Sequence, residues 1–162
     1  MTDRTMSIPS HLRSLISELG SRMNLPALKL DESGGCALEF NERITVSLQY
    51  REPESQLWMY AILGHIPEGR PELYAKLLQA NLFWRHTFGA TMSLSGDEPP
   101  NVVLARPLHL TSLDEHSLSN AVELFLNTAT DWQTRLADTE IKNVASGGLP
   151  LDSAMTLLSI RA

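Results

Sequence analysis

Five histidines, one cysteine and three acidic pairs are the side chains of this sequence best suited to chemistry. His11, His65, His86, His109 and His116 are scattered, and no H-x-x-x-H or H-E-x-x-H pair sets two imidazoles on one helical face for a zinc ion. Cys36 could pair with a distant histidine as a nucleophile, but its neighbours are apolar or acidic and would not lower a thiol pKa. It reads as a small core residue in a strand. As the single cysteine it also excludes an intramolecular disulfide and a thiolate metal cluster. Asp31-Glu32, Asp97-Glu98 and Asp114-Glu115 fall in predicted loops or a helix first turn, where turn chemistry or capping accounts for them. There is no G-x-S-x-G elbow and no dinucleotide fingerprint, and the turn Glu32-Ser33-Gly34-Gly35 is not a phosphate loop. These observations predict a protein that is not an enzyme and holds no metal or cofactor.

The elements around these residues carry more information. Pro71 suits a first helical position, and the stretch 71–87, PELYAKLLQANLFWRHT, is predicted as one central helix. Leu73, Leu77, Ala80 and Trp84 form a stripe, with Tyr74, Leu78 and Leu82 on the adjoining flank. A surface helix needs an apolar arc of only roughly 100°. The extra flank therefore asks for a second surface, either in this chain or in another subunit.

Before it, Pro9 opens an amphipathic helix with Leu12, Leu15, Ile16, Leu19 and Met23 at helical spacing, closed by Gly20 or Asn24. Three strands follow. Cys36, Leu38 and Phe40 alternate with Ala37 and Glu39; Ile44, Val46, Leu48 and Tyr50 alternate with Thr45, Ser47 and Gln49. The third strand, over 57–66, is apolar on both faces: Leu57, Met59, Ala61 and Leu63 point one way, Trp58, Tyr60 and Ile62 the other. Short connections predict an antiparallel meander, which normally leaves one face to water. The second apolar face needs covering by the chain's own helices or by something else.

After the central helix, the runs 90–94 and 102–106 read as a hairpin with a long loop. Ser112 and Glu115 match a capping box ahead of a last helix, whose face carries Leu118, Ala121, Val122, Phe125, Ala129, Trp132 and Leu136. Beyond Asp138 the pattern fails, Gly147, Gly148 and Pro150 interrupt the chain, and 154–160 make a short apolar patch. The expectation is an α+β domain over 1–138, with an antiparallel sheet and the order α-β-β-β-α-β-β-α, then a mobile tail over 139–162.

With 162 residues, 43% hydrophobic and 20% charged, the chain is long enough to bury a core without staples. Thirteen basic against 19 acidic side chains leave a formal charge of −6. Nucleic acid and anionic membrane are poor partners for such a surface. With no signal-peptide stretch and no run of membrane-span length, a cytoplasmic location is predicted. Apolar surface beyond the needs of one small domain, on an acidic frame, marks an interaction protein.

The run Leu77-Leu78-Gln79-Ala80-Asn81-Leu82-Phe83-Trp84, then Gly89-Ala90-Thr91-Met92-Ser93-Leu94 and Val102-Val103-Leu104-Ala105-Arg106-Pro107-Leu108, resembles the Tir chaperone (CesT) family of bacterial type III secretion chaperones. Leu113-Asp114, Leu118, Phe125-Leu126 and Trp132 extend the resemblance, which covers roughly residues 9 to 137. Phe88 departs from it, standing where many members have a second glycine, as does the long segment after Asp138.

The resemblance implies an acidic cytoplasmic homodimer. It would bind the chaperone-binding segment near the N-terminus of a secreted effector and keep it extended and competent for export. Carried onto this chain, it makes Leu73, Leu77, Ala80 and Trp84 candidates for the dimer interface, and Leu15, Leu19, Leu38 and Phe40 candidates for effector binding. A regulatory protein-interaction module of the same fold is the second reading. A small enzyme with a site between sheet and helix is the third.

Overall fold

The computed structural model describes residues 7–146, with side chains as far as Asp138. Its elements run α1 (Ser10–Arg22), β1 (Gly35–Phe40), β2 (Ile44–Arg51), β3 (Gln56–His65), α2 (Pro71–Ala80), β4 (Thr91–Leu94), β5 (Asn101–His109) and α3 (Glu115–Ser146). This is the predicted order. The strands form one five-stranded sheet in the order β1-β2-β3-β5-β4, with every neighbouring pair antiparallel. Alternation within the strands determines which side chains enter the core. Val46, Leu48, Leu57, Met59, Val102 and Leu104 are all buried on one face.

Helix α3 lies across β2 and β3 and packs against α1. Leu118, Val122, Phe125 and Ala129 from α3, and Leu12, Ile16 and Leu19 from α1, fill the space over the sheet. Burial of each such Leu, Ile or Phe is worth roughly 1.5–3 kcal/mol. Helix α1 continues through Gly20, which does not end it. A Cβ at Gly20 would lie 2.6 Å from the Leu25 carbonyl oxygen, so the missing side chain is what lets the 25–28 loop fold down on the helix.

Two helix boundaries differ from expectation. The central helix ends at Ala80, not near residue 87, and Leu82–Trp84 form a 3₁₀ turn in which Phe83 and Trp84 have positive φ. The cause is tertiary. Asn81 turns its carboxamide onto the main chain of Met92 at the edge strand β4, which draws the backbone out of helical register. At the last helix the reciprocal cap joins Asp114 and Ser117, not Ser112 and Glu115. The Ser117 N–H donates to the Asp114 carboxylate at 2.7 Å, and the Asp114 N–H donates to Ser117 Oγ at 2.9 Å. Glu115 instead pairs with Arg22 of α1. Helix α3 continues past Asp138 to Ser146. The rest of the segment 139–162, with its apolar patch at 154–160, lies outside the described residues.

Candidate functional site

Strand β1 forms one edge of the sheet, and among the described residues no strand pairs with its outer main chain. Its first residue is already engaged. The Asp31 carboxylate accepts from the N–H of Gly35 at 2.9 Å, from that of Ser33 at 2.8 Å and from the Ser33 hydroxyl at 2.7 Å, while the Asp31 N–H donates to the Gly35 carbonyl at 2.9 Å. Gly35 therefore turns its main-chain groups away from β2. By strand alternation Ala37 and Glu39 do the same, leaving Cys36, Leu38 and Phe40 to bond with Leu48, Val46 and Ile44. The Ala37 and Glu39 groups point into a groove of about 570 Å³ between β1 and the 25–28 loop, where Leu25, Pro26, Ala27 and Leu28 form the opposite wall.

Hydrogen bonds from the Ser33 hydroxyl and the Gly35 N–H hold the Asp31 carboxyl below its ordinary value. Burial, with a smaller push from the Asp31 charge, raises the Cys36 thiol to about 11, which keeps it protonated and non-nucleophilic. Asp97 and Asp114 are also held below the usual range, by the Ser95 hydroxyl and then Asn101 in one case and by Ser117 in the other. Among the described residues no three His, Cys, Asp or Glu side chains gather to hold a metal. His11 bonds the Leu113 carbonyl at 3.2 Å, far along the chain from His109, which meets Gln56 at 3.5 Å.

A second surface lies at the other end of the sheet. Leu78, Leu82, Phe83, Trp84 and Phe88 are 72%, 61%, 79%, 54% and 56% exposed. The turn that presents them is held in place. Besides the Asn81 bonds, Trp84 Nε1 donates to Thr91 Oγ1 at 3.3 Å and Trp132 Nε1 donates to the His86 carbonyl at 2.9 Å. Phe83, Trp84 and Phe88 all adopt positive φ, a conformation costing bulky residues about 1–3 kcal/mol each. The outer face of β3 is also open, with Tyr60 and Ile62 exposed and Trp58 half-buried. The chain's own described helices cover only the inner face.

This geometry redistributes the residues expected at the two sites. Leu73, Leu77 and Ala80 are buried in their own domain, while Trp84 and the flank of Leu78 and Leu82 face out. Leu15, Leu19 and Leu38 are likewise core residues, 4%, 2% and 1% exposed, because the inner faces of α1 and β1 make the core. Phe40 is half-buried at the end of β1. Leu38 still borders the edge groove. Sequence reading missed the main chain of Ala37 and Glu39 and the 25–28 loop, since edge position is set by the order of strands and not by any residue type. The flank of Leu78 and Leu82 was visible as excess apolar arc.

The model of the Tir chaperone protein (CesT) family matches residues 14–133. The chain is similar to the transcriptional anti-antiactivator ExsC of Pseudomonas aeruginosa, at 28% identity over 148 residues, covering 89% of this chain and 99% of that protein. Its fold superimposes on the crystal structure of the ExsC–ExsE complex with a TM-score of 0.69 at 25% identity, covering 81% of this chain and 97% of that one. The Yersinia pestis type III secretion chaperone SycH, solved with a stable fragment of YscM2, shares the fold with a TM-score of 0.59 at 22% identity, over 76% of this chain and 98% of that one.

Proposed function

The chain belongs to the Tir chaperone (CesT) family, and from that premise we propose that it is a type III secretion chaperone that binds an extended N-terminal segment of a secreted effector. The observation that carries this reading is the open edge of β1 beside an apolar groove. An extended peptide can bond to the main chain of Ala37 and Glu39 while its side chains settle against the 25–28 loop. Ordering a disordered segment is costly, so such a client needs many apolar contacts beyond the edge. The exposed outer face of β3 supplies further apolar area.

The protein acts as a homodimer in the bacterial cytoplasm, without catalysis. Support for the dimer comes from Leu78, Leu82 and Trp84, large apolar side chains left exposed on one flank. Two copies would link two client sites at high effective concentration.

The second reading, a regulatory module, is favoured by one observation: the relative matched over 89% of this chain is named a transcriptional anti-antiactivator. A pull-down with tagged protein from its own bacterium, grown under secretion-inducing conditions, separates the two. A secreted prey with a protease-protected segment near its N-terminus supports the chaperone. Recovery of cytoplasmic proteins alone supports the regulator and rejects a secretion client.

A further inference from the structure

Alternation sorts the side chains of β1 onto two unlike faces. Cys36, Leu38 and Phe40 stand opposite Leu48, Val46 and Ile44 of β2, all three buried, and so belong to the inner face. Ala37 and Glu39 stand opposite Ser47 and Thr45, which makes the outer face polar here. A strand added beyond β1 inherits this parity, because residues directly opposite one another in a sheet share a face. The same holds whether the added strand runs parallel or antiparallel.

The groove beside β1 has the same two characters. Leu25, Leu28, Cys36 and Leu38 line it with apolar surface continuous with the core, and its charged side chains are Lys29, Asp31 and Glu39. The Asp31 carboxylate is taken up by Ser33 and Gly35, and this cap ends the free edge at Ala37. Lys29 belongs to the facing wall, so strand register sets it opposite no client residue. Glu39 differs from both. It lies on the strand itself, is exposed, and among the described residues has no ion-pair or side-chain hydrogen-bond partner.

We infer, resting on the reading of β1 as the client's edge, that the docked segment is a two-faced strand. Its apolar side chains stand opposite Cys36, Leu38 and Phe40, its polar ones opposite Ala37 and Glu39, and the residue opposite Glu39 is a lysine or arginine. Apolar groups on the inner side extend the core against Leu25 and Leu28. An opposite-charge pair directly across two strands adds a preference of about two- to fivefold, and a like-charge pair subtracts a similar factor. A segment with its apolar residues in a block instead puts a charge into the groove or an apolar group into water.

The test uses the full chain and fluorescein-labelled synthetic peptides, read by anisotropy. GSVKVKVSG is two-faced and sets a lysine opposite Glu39 in either strand direction, GSVVVKKSG has the same composition without alternation, and GSVEVEVSG reverses the charge. The alternating lysine peptide is expected to bind at least about tenfold more tightly than the block peptide. Its preference over the glutamate peptide is expected to fall about fourfold or more in Glu39→Lys, and to stay within about twofold in Glu123→Lys, which makes the same change of net charge on the exposed side of α3. Equal binding of the alternating and block peptides, or equal effects of the two charge substitutions, overturns the inference; the edge reading still stands if Ala37→Pro weakens GSVKVKVSG. Absence of binding, or binding that Ala37→Pro leaves unchanged, overturns the edge reading and the inference with it.

Discussion

The Asn81 carboxamide pairs with both main-chain groups of Met92, accepting from its N–H at 2.8 Å and donating to its carbonyl at 3.0 Å. Asn81 thus takes the place of a neighbouring strand along part of β4, the sheet edge opposite β1. One edge is blunted by a side chain while the other stays open, which gives an incoming strand a single preferred side.

Asn81→Ala should therefore cost about 1–3 kcal/mol in chemical denaturation, because it strands two half-buried main-chain groups. Asn81→Asp should be no milder, since a carboxylate keeps the acceptor but sets an oxygen against the Met92 carbonyl. Wild-type stability in both variants would show that the pair does not hold the turn.

The proposed dimer interface is tested on the outward flank. Leu78→Asp with Leu82→Asp is expected to halve the mass seen by light scattering and to leave the fold intact, because both side chains are exposed. Leu77→Asp should instead destabilise the domain, by on the order of 4 kcal/mol, since it puts a charge in the core.

Strand parity makes a sharp test of the β1 edge. Ala37→Pro removes an outward N–H and should lower affinity for the recovered client at least tenfold while the sheet survives. Leu38→Pro removes an inward N–H bonded to β2 and should unfold the strand. Equal affinity for client in Ala37→Pro and wild type would move the client off this edge.

Asp31 ties stability to pH. Its native pKa lies below the ordinary 3.8, so the unfolded chain binds the proton first. Its contribution is full above that ordinary value and is lost as the pH falls through the native pKa. Asp31→Asn should flatten this part of the acid limb, measured as urea midpoints between about pH 6 and about pH 3. An unchanged acid limb would show that the cap on Gly35 is not coupled to folding.

With its thiol raised to about 11, Cys36 should react with iodoacetamide at neutral pH on the order of 100-fold slower than a free cysteine. Unfolding in urea should restore the normal rate. Fast alkylation of the native protein would mean that β1 opens readily.

Local pattern sufficed for much of this protein. Period-2 alternation along 57–63 specifies a strand apolar on both faces, and the 3.6-residue spacing of Leu118, Val122, Phe125 and Ala129 specifies a helix and the face it buries. The structure keeps both. Tertiary structure decided what depends on neighbours distant in sequence. The bond from Asn81 to Met92 ended α2 at Ala80, against a helical propensity that ran on to Thr87. The order of strands left β1 rather than β3 at an edge, and so exposed the main chain of Ala37 and Glu39, which no side chain announces. Leu15, Leu19 and Leu38 carry the same apolar signal as a binding surface, and only the packing of α1, α3 and the sheet made them core. An apolar residue states that it must be covered; which surface covers it is determined only when the whole chain has closed around it.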